Sequence, residues 1–469
     1  MFDTFLNTNF ILACDSYKVS HRAHLPKGTL RSHSNIVARK PFVDSEHQIA
    51  INEVVALGPQ VVAYILKQVR ITDAMIDEAE REITEQGYDF PRAEWEYLRD
   101  LGCLPLVVRA VPEGTVVPVG HALMTVENTD NRSAWLPSYT ETWVQDIVWT
   151  MSTVASKVRY LYLLTRKFCE ETGTPVEAAE YMIHNFGDRG AGGQDRAIMA
   201  GIAHAVFFSG SDNLRANRYI KRLYDTDKPV LSSVDANEHS VVCANSDCDN
   251  RNDYNAFLMS LETLRNAVAR ANRGVGIPLI SSLIDTFDDE RYIKEFVIPN
   301  YSKICEIGGK YVCRPDSGNA VEKPIEIVKW LMDGLASHCS FTSRWFRALP
   351  ANIGVIQGDG LKLWDFERIF RAATQHNLAA SNFVFGFGGG MTNGSSRDDF
   401  SFSMKATAVM GEDGTWVSMQ KDPKTDPSKK SLKGRITKSN GLPLEVIYSP
   451  LDGCSLSTFA QVRERARKV

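Results

Sequence analysis

From about residue 180 the chain repeats one local pattern: a short apolar run, a polar turn ending in Gly, Asp or Arg, then a helical stretch. YMIHNFGDRG precedes a predicted helix at 193–207, and YVCRPDSGN precedes PIEIVKWLMDGL, with Pro324 near its first turn. IGVIQGDG precedes LKLWDFERIFRAATQ, and NFVFGFGGG precedes a polar segment. Such repetition demands parallel strands with crossover helices, an α/β layer or barrel. Ligands of these folds meet the loops at the C-terminal ends of the strands.

The flanks read differently. Residues 49–70 are expected as a helix, 73–86 as a polar surface helix, and 139–171 as a long helical region free of Pro and Gly. The stretch 105–128 is rich in β-branched residues and broken by PEG and VG, which predicts antiparallel strands. KDPKTDPSKKSLKGR is a basic, turn-rich loop. There is neither an internal repeat nor a low-complexity linker, so the outer segments are expected to pack into one body with the barrel. The expected division is a flanking mixed α+β domain from residues 1–150 plus 395–469 and a barrel domain from 151–394.

Composition narrows the function. At 469 residues the chain can bury a sizeable core, and a net charge of −4 argues against nucleic acid as a partner. A site can still be locally basic and take an anionic small substrate. Nine scattered cysteines without a CxxC pair fit a reducing compartment and no structural zinc. No leader pattern opens the sequence and no apolar run reaches about eighteen residues, so a cytoplasmic protein without a membrane partner is expected.

Several loops carry chemistry. Arg314–Asn319 (RPDSGN) offers a guanidinium and backbone amides to a phosphate or a polar ring substituent; the plain alternative is a surface turn with a salt bridge. In Ile356–Gly360, Gly358 and Gly360 allow close approach of a ligand, and Asp359 could accept from ribose hydroxyls or merely cap a helix. Gly386–Gly390, which includes Gly388 and Gly389, can form a phosphate nest or a flexible turn, with Arg397 and Lys405 following. Phe186 and Arg189 could stack a heteroaromatic base and hold phosphate, or be a core Phe and a surface Arg. His239, in NEHS, suits a nucleophile, an acid/base or a structural hydrogen bond. Asp15 and Tyr17 belong to a polar cluster, CDSYKVSH, that a helix cap would also explain.

In combination and in order, DSYKVSH, VPEGTVVPVGHALMTVENTD, HNFGDRG, EHS, RPDSGN, VIQGDG, FGGG, SRDDFSFSMK and KDP…DPSKKSLKGR resemble the nicotinamide phosphoribosyltransferases, from about residue 10 to about residue 440. The resemblance implies a type II phosphoribosyltransferase: an irregular α/β barrel flanked by a β-rich domain built from both chain ends. It implies transfer of the 5-phosphoribosyl group of 5-phosphoribosyl 1-diphosphate to nicotinamide, with Mg²⁺ carried by the diphosphate rather than by a protein metal site. ATP is implied as an activating co-substrate that phosphorylates His239. A homodimer with shared active sites is implied as well. A nicotinate phosphoribosyltransferase of the same fold and a catalytically degenerate binding protein are the alternatives.

Roles follow by position in that family. Phe186 stacks on one face of the base and Tyr17 of the partner subunit on the other. Asp212 accepts from the carboxamide, and Ser281 and Asp285 lie near the base. Arg314 contacts both ring and diphosphate. Asp316, Gly358, Asp359, Gly389 and Arg397 hold the ribose and 5′-phosphate, while Arg189, His239 and Lys405 face the diphosphate. His239, Arg314 and Asp316 are the implied catalytic residues, with Asp15 and Gly388 among the implied substrate contacts. Asp188, Asp235 and Phe387 stand where eukaryotic relatives carry Tyr, Pro and Ser, and the C-terminus is shorter, which points to a bacterial or phage type.

Overall fold

In the computed structural model, which describes residues 8–451 and 454–468, two six-stranded sheets organise the chain. The first seven residues of the N-terminal stretch discussed above lie outside the described residues.

One sheet is parallel. Its order is Ile183–Asn185, Phe383–Phe387, Ile353–Gln357, Lys310–Arg314, Leu279–Leu283 and Asp235–Ala236. Parallel bridges Asn185↔Ser211 and Gly210↔Ser232 carry the pairing past the first of these strands to the segment that leads into Asp235. The two ends of the sheet therefore meet, and the result is an irregular α/β barrel. Its strands read as continuous apolar runs because both faces are covered. Tyr311, Val355 and Phe385 are fully buried. Helices Gln194–Ala205, Tyr254–Ala271, Lys323–Gly334 and Asp365–Gln375 come after the strands at 183–185, 235–236, 310–314 and 353–357.

The other sheet is antiparallel and draws on both ends of the chain. It runs Trp416–Ser418, Ser403–Met410, Arg31–Val37, Ala122–Asn128, Leu106–Ala110, Glu445–Tyr448. Strands at 105–128 were expected and are present. Helix Glu141–Thr172 spans 32 residues and runs through position 150, so no break falls at the expected domain boundary. One contiguous apolar core joins the two sheets.

The expected helix at 49–70 is only half right. Ile49–Ile51 and Glu53–Val55 are short strands, and the helix is Pro59–Gln68. Gly58 at φ 109° and Pro59 in the first turn set the start. Glu113 fixes it there by accepting from the Gly58 and Gln60 N–H groups, both at 2.8 Å. Among the described residues no helix is long and apolar enough to cross a membrane.

Candidate active site

The loops that leave the barrel strands enclose a cleft of ≈ 1540 Å³. Phe186, Arg189, Asp212, His239, Arg314, Asp316, Gly358, Asp359, Gly388 and Gly389 all line it. Residues scattered over more than 200 positions of sequence thus meet because each follows a strand of one parallel sheet.

Phe186 is seated by glycines. Its backbone N–H donates to Phe387 O at 3.1 Å, and its ring lies over Gly386, where a Cβ would come within 2.2 Å of two ring carbons. A Cβ at Gly358 would sit 3.6 Å from the Phe186 ring, from Arg314 Cδ and from Asp316 Oδ1. An aromatic face, a guanidinium stem and a carboxylate therefore converge on one bare stretch of backbone. Gly390 is needed for a similar reason, since a Cβ there would lie 2.6 Å from the Leu361 carbonyl.

His239 opens the short helix His239–Ala244 and stands between two carboxylates. Its Nε2 is 3.4 Å from Asp285 Oδ1 and its Nδ1 is 3.8 Å from Asp316 Oδ2. Asp285 Oδ2 accepts from Asp316 N at 2.8 Å and Ser317 Oγ at 2.5 Å. Asp285 Oδ1 is buried within ion-pair range of the imidazole but without a hydrogen bond. Asp285 thus fixes the RPDSGN turn from behind the cleft wall and places a carboxylate oxygen near the histidine. The Ser281 hydroxyl is also buried there, with no partner among the described residues.

Arg314 donates to the Asn237 carbonyl, while its Nε is buried without a partner. Burial pushes its guanidinium down; Asp316, Asp212 and Asp285 oppose that, and the like charge of Arg189 adds to it. Arginine stays charged under such shifts, so Arg314 is a fixed cation that lacks full hydrogen-bond satisfaction. Asp212 accepts from Ser233 Oγ at 2.5 Å through Oδ1.

Four expected residues lie apart from this cleft. Asp15 accepts from Thr142 Oγ1 at 2.9 Å, and Tyr17 is 52% exposed, edge-on to His21. Lys405 Nζ is 3.4 Å from Glu141, which also pairs with Lys18. Arg397 is exposed and pairs with Asp398 at 3.2 Å. The first three gather at the start of helix Glu141–Thr172.

The structure adds residues that the motifs did not single out. Lys157 lines the cleft from the middle of the long helix. It donates to Asp399 at 2.6 Å and Gly394 O at 2.7 Å, and its ammonium lies 4.5 Å from the Phe42 ring centroid. A lysine inside the apolar run VASKVRYLYLL was the available signal. Asn237 ties the strand end to its neighbours, accepting from Leu283 N at 2.8 Å. Trp364 lines the far wall and stacks on His47 at 4.0 Å. Of the three departures, Asp188 pairs with Arg215 at 2.7 Å and Asp235 pairs with Arg270. Phe387 is buried edge-on against Phe366.

Comparison with known proteins identifies the family. Residues 181–450 match the model of the nicotinate phosphoribosyltransferase (NAPRTase) family, and residues 9–108 match that of the nicotinamide phosphoribosyltransferase N-terminal domain. A nicotinamide phosphoribosyltransferase of Xanthomonas campestris is 33% identical, covering 92% of this chain and 87% of its own. Another, of Acinetobacter baylyi, is 29% identical over 97% of both chains. The crystal structure of human nicotinic acid phosphoribosyltransferase shares the fold, with a TM-score of 0.57 at 17% identity over 97% of this chain and 92% of that one. The chain therefore belongs to the nicotinate phosphoribosyltransferase (NAPRTase) family, among its nicotinamide phosphoribosyltransferase members.

Proposed function

We propose that this chain transfers the 5-phosphoribosyl group of 5-phosphoribosyl 1-diphosphate to nicotinamide, giving nicotinamide mononucleotide and diphosphate. The observation that carries this reading is the convergence of Phe186, Arg314 and Asp316 on Gly358. That juxtaposition suits a flat base, a leaving diphosphate and a sugar cation side by side. The C1′–O bond to diphosphate breaks as the pyridine nitrogen bonds to C1′, and positive charge develops on the sugar. Asp316 and Asp359 are carboxylates suited to the ribose and its developing charge, and Arg314 and Arg189 are cations suited to the leaving group. Stacking on Phe186 supplies orientation rather than activation. Mg²⁺ held by the diphosphate oxygens would neutralise the leaving group, and the cleft carboxylates fit a cation bound mainly through substrate phosphates.

Asp212 is the residue we assign to base choice. Ser233 occupies one carboxylate oxygen, and the other is suited to a carboxamide N–H. A nicotinate carboxylate would meet like charge there. The match of residues 181–450 to a family described by nicotinate favours the alternative base, and Asp212 opposes it.

His239 is the group we assign to ATP coupling. A neutral imidazole nitrogen would attack the γ-phosphorus, ADP would leave, and the phosphohistidine would organise the site for diphosphate. The carboxylates of Asp285 and Asp316, 3.4 and 3.8 Å from its two ring nitrogens, support this as partners for an imidazole that gains positive charge on attack. The cluster of Asp15, Tyr17 and Lys405 at the start of helix Glu141–Thr172 would complete the site of a partner subunit in a homodimer.

One assay tests the reading: turnover of the purified protein offered both bases, with and without ATP, beside Asp212→Asn and His239→Ala. Nicotinamide should be preferred by at least about tenfold, and Asp212→Asn should erode the preference. His239→Ala should lose ATP hydrolysis and ATP stimulation together while keeping part of the basal rate. Equal use of both bases by the unsubstituted protein would overturn the role of Asp212. Full ATP stimulation in His239→Ala would overturn that of the histidine.

A further inference from the structure

Asp188 places a negative charge beside Arg189, on the wall of a cleft read above as binding a diphosphate. Left alone, this carboxylate would repel the substrate and offer Arg189 an internal counter-ion. Neither situation suits an anion site, yet the pair occurs on the loop that also presents Phe186.

The adjoining helix answers the charge. Arg215, in the first turn of Leu214–Leu223, also lines the cleft and reaches Asp188 Oδ1 with Nη2 at 2.7 Å. Its backbone is fixed. The buried Asn213 caps the helix, accepting from Ala216 N at 2.9 Å and donating to Ala197 O at 2.9 Å. Arg189, by contrast, is exposed and makes no hydrogen bond or ion pair with any described residue. Of the two arginines nearest Asp188 on this wall, Arg215 is paired and Arg189 is not, with Asp188 committed to the first.

We infer that Arg215 is a positioning residue: by holding Asp188 it keeps that carboxylate off Arg189 and leaves the Arg189 guanidinium open to the diphosphate of the substrate. The inference rests on the phosphoribosyl-transfer reading for the identity of the anion. An ion pair this exposed contributes little to folding. Its effect should therefore show in anion binding rather than in stability. Arg215→Ala should be harmful only while Asp188 is present, a sign pattern that a scaffold role does not produce.

The experiment is a double-mutant cycle on the full chain, read by calorimetric binding of inorganic diphosphate with Mg²⁺ at low ionic strength. KM for 5-phosphoribosyl 1-diphosphate and kcat are measured alongside. Arg215→Ala should weaken diphosphate about tenfold and raise that KM alike, with kcat nearly unchanged. Asp188→Asn alone should not weaken binding, and the double variant should return to within about threefold of the parent. Arg215→Gln, closer in shape, replaces the alanine if Arg215→Ala does not fold. Binding by the double variant as weak as that of the single, or unchanged binding in the single, overturns the inference. Because diphosphate binding is read without turnover, a protein that uses neither base but shows the rescue defeats the proposed reaction only. A protein that turns over nicotinamide without the rescue defeats the role of Arg215 only.

Discussion

Gly386 lies beneath the ring of Phe186, and its missing side chain is what gives that ring its seat. A Cβ at 2.2 Å from the ring carbons cannot be accommodated without turning Phe186 out of place, whereas the strand around it is otherwise well buried. Gly386→Ala should therefore raise the KM for nicotinamide about tenfold, through lost stacking, and leave the KM for 5-phosphoribosyl 1-diphosphate within about twofold. Steady-state kinetics in both substrates checks this, and an equal rise in both KM values would mean that the whole wall had moved. The glycine also marks where sequence reading stops. Phe186, Arg314, Asp316, Gly358 and Asp359 were legible because they end or follow three apolar runs, and a parallel sheet brings such positions to one end. The partnership of Gly386 with Phe186 was not, because it depends on the register that pairs Gly386 with His184, a contact across 200 residues that no local pattern encodes. Arg215 escaped notice similarly: on its own helix it is an ordinary first-turn arginine, and only Asp188 gives it a function.

Most helices, the parallel strands and the antiparallel strands of 105–128 declared themselves by periodicity and by their turns, whereas the way the antiparallel sheet is assembled did not. Arg31–Val37 pairs with Ser403–Met410 and with Ala122–Asn128, and nothing local in any of the three specifies the other two; the family resemblance alone supplied a domain made from both ends. A polar clamp holds this assembly where the basic loop rejoins it. Arg435 donates twice to Glu127, through Nε at 2.8 Å and Nη2 at 2.9 Å, and His33 Nδ1 lies 3.0 Å from the same carboxylate. Ile436 N donates to His33 Nε2, which leaves Nδ1 as the donor to Glu127. Burial pushes the Glu127 carboxyl up, but the bonds from His33 and Arg435 outweigh it and hold it below its ordinary value of 4.5. A carboxylate depressed in the folded state stabilises above its unfolded pKa, and the contribution fades as pH falls through the folded value. Glu127→Gln should therefore cost about 2 kcal/mol near neutrality, and the deficit should shrink below about pH 4.5. Denaturant titrations of parent and variant from pH 7 to pH 3 measure it; a deficit that stays constant across that range would remove the ionised clamp from the account.

At the scale of the whole molecule, most of the residues expected in one active site fall into two groups, with Arg397 in neither. Phe186, Arg189, Asp212, His239, Arg314, Asp316 and the glycine loops share a cleft, while Asp15, Tyr17 and Lys405 gather around the start of helix Glu141–Thr172. Tyr17 is half exposed and lines no part of the cleft. Within one chain the second group only packs on the start of that helix, but a two-fold dimer would give it a site, because an isologous interface hands each protomer's cluster to the other's barrel. Complementation tests this hypothesis. A Tyr17→Ala chain lacks one face of the base sandwich and a Phe186→Ala chain lacks the other, so each homodimer should be nearly inactive. In a heterodimer one site combines the intact Phe186 of the first chain with the intact Tyr17 of the second, and the other site carries both lesions. Random reassociation makes about half the dimers mixed, each with one sound site of two, so about a quarter of parental activity should return. The mixture must be dissociated and refolded together, and sedimentation at assay concentration must show the dimer. If activity stays at the level of the separate variants, or if a monomer is fully active, Tyr17 acts within its own chain or not at all.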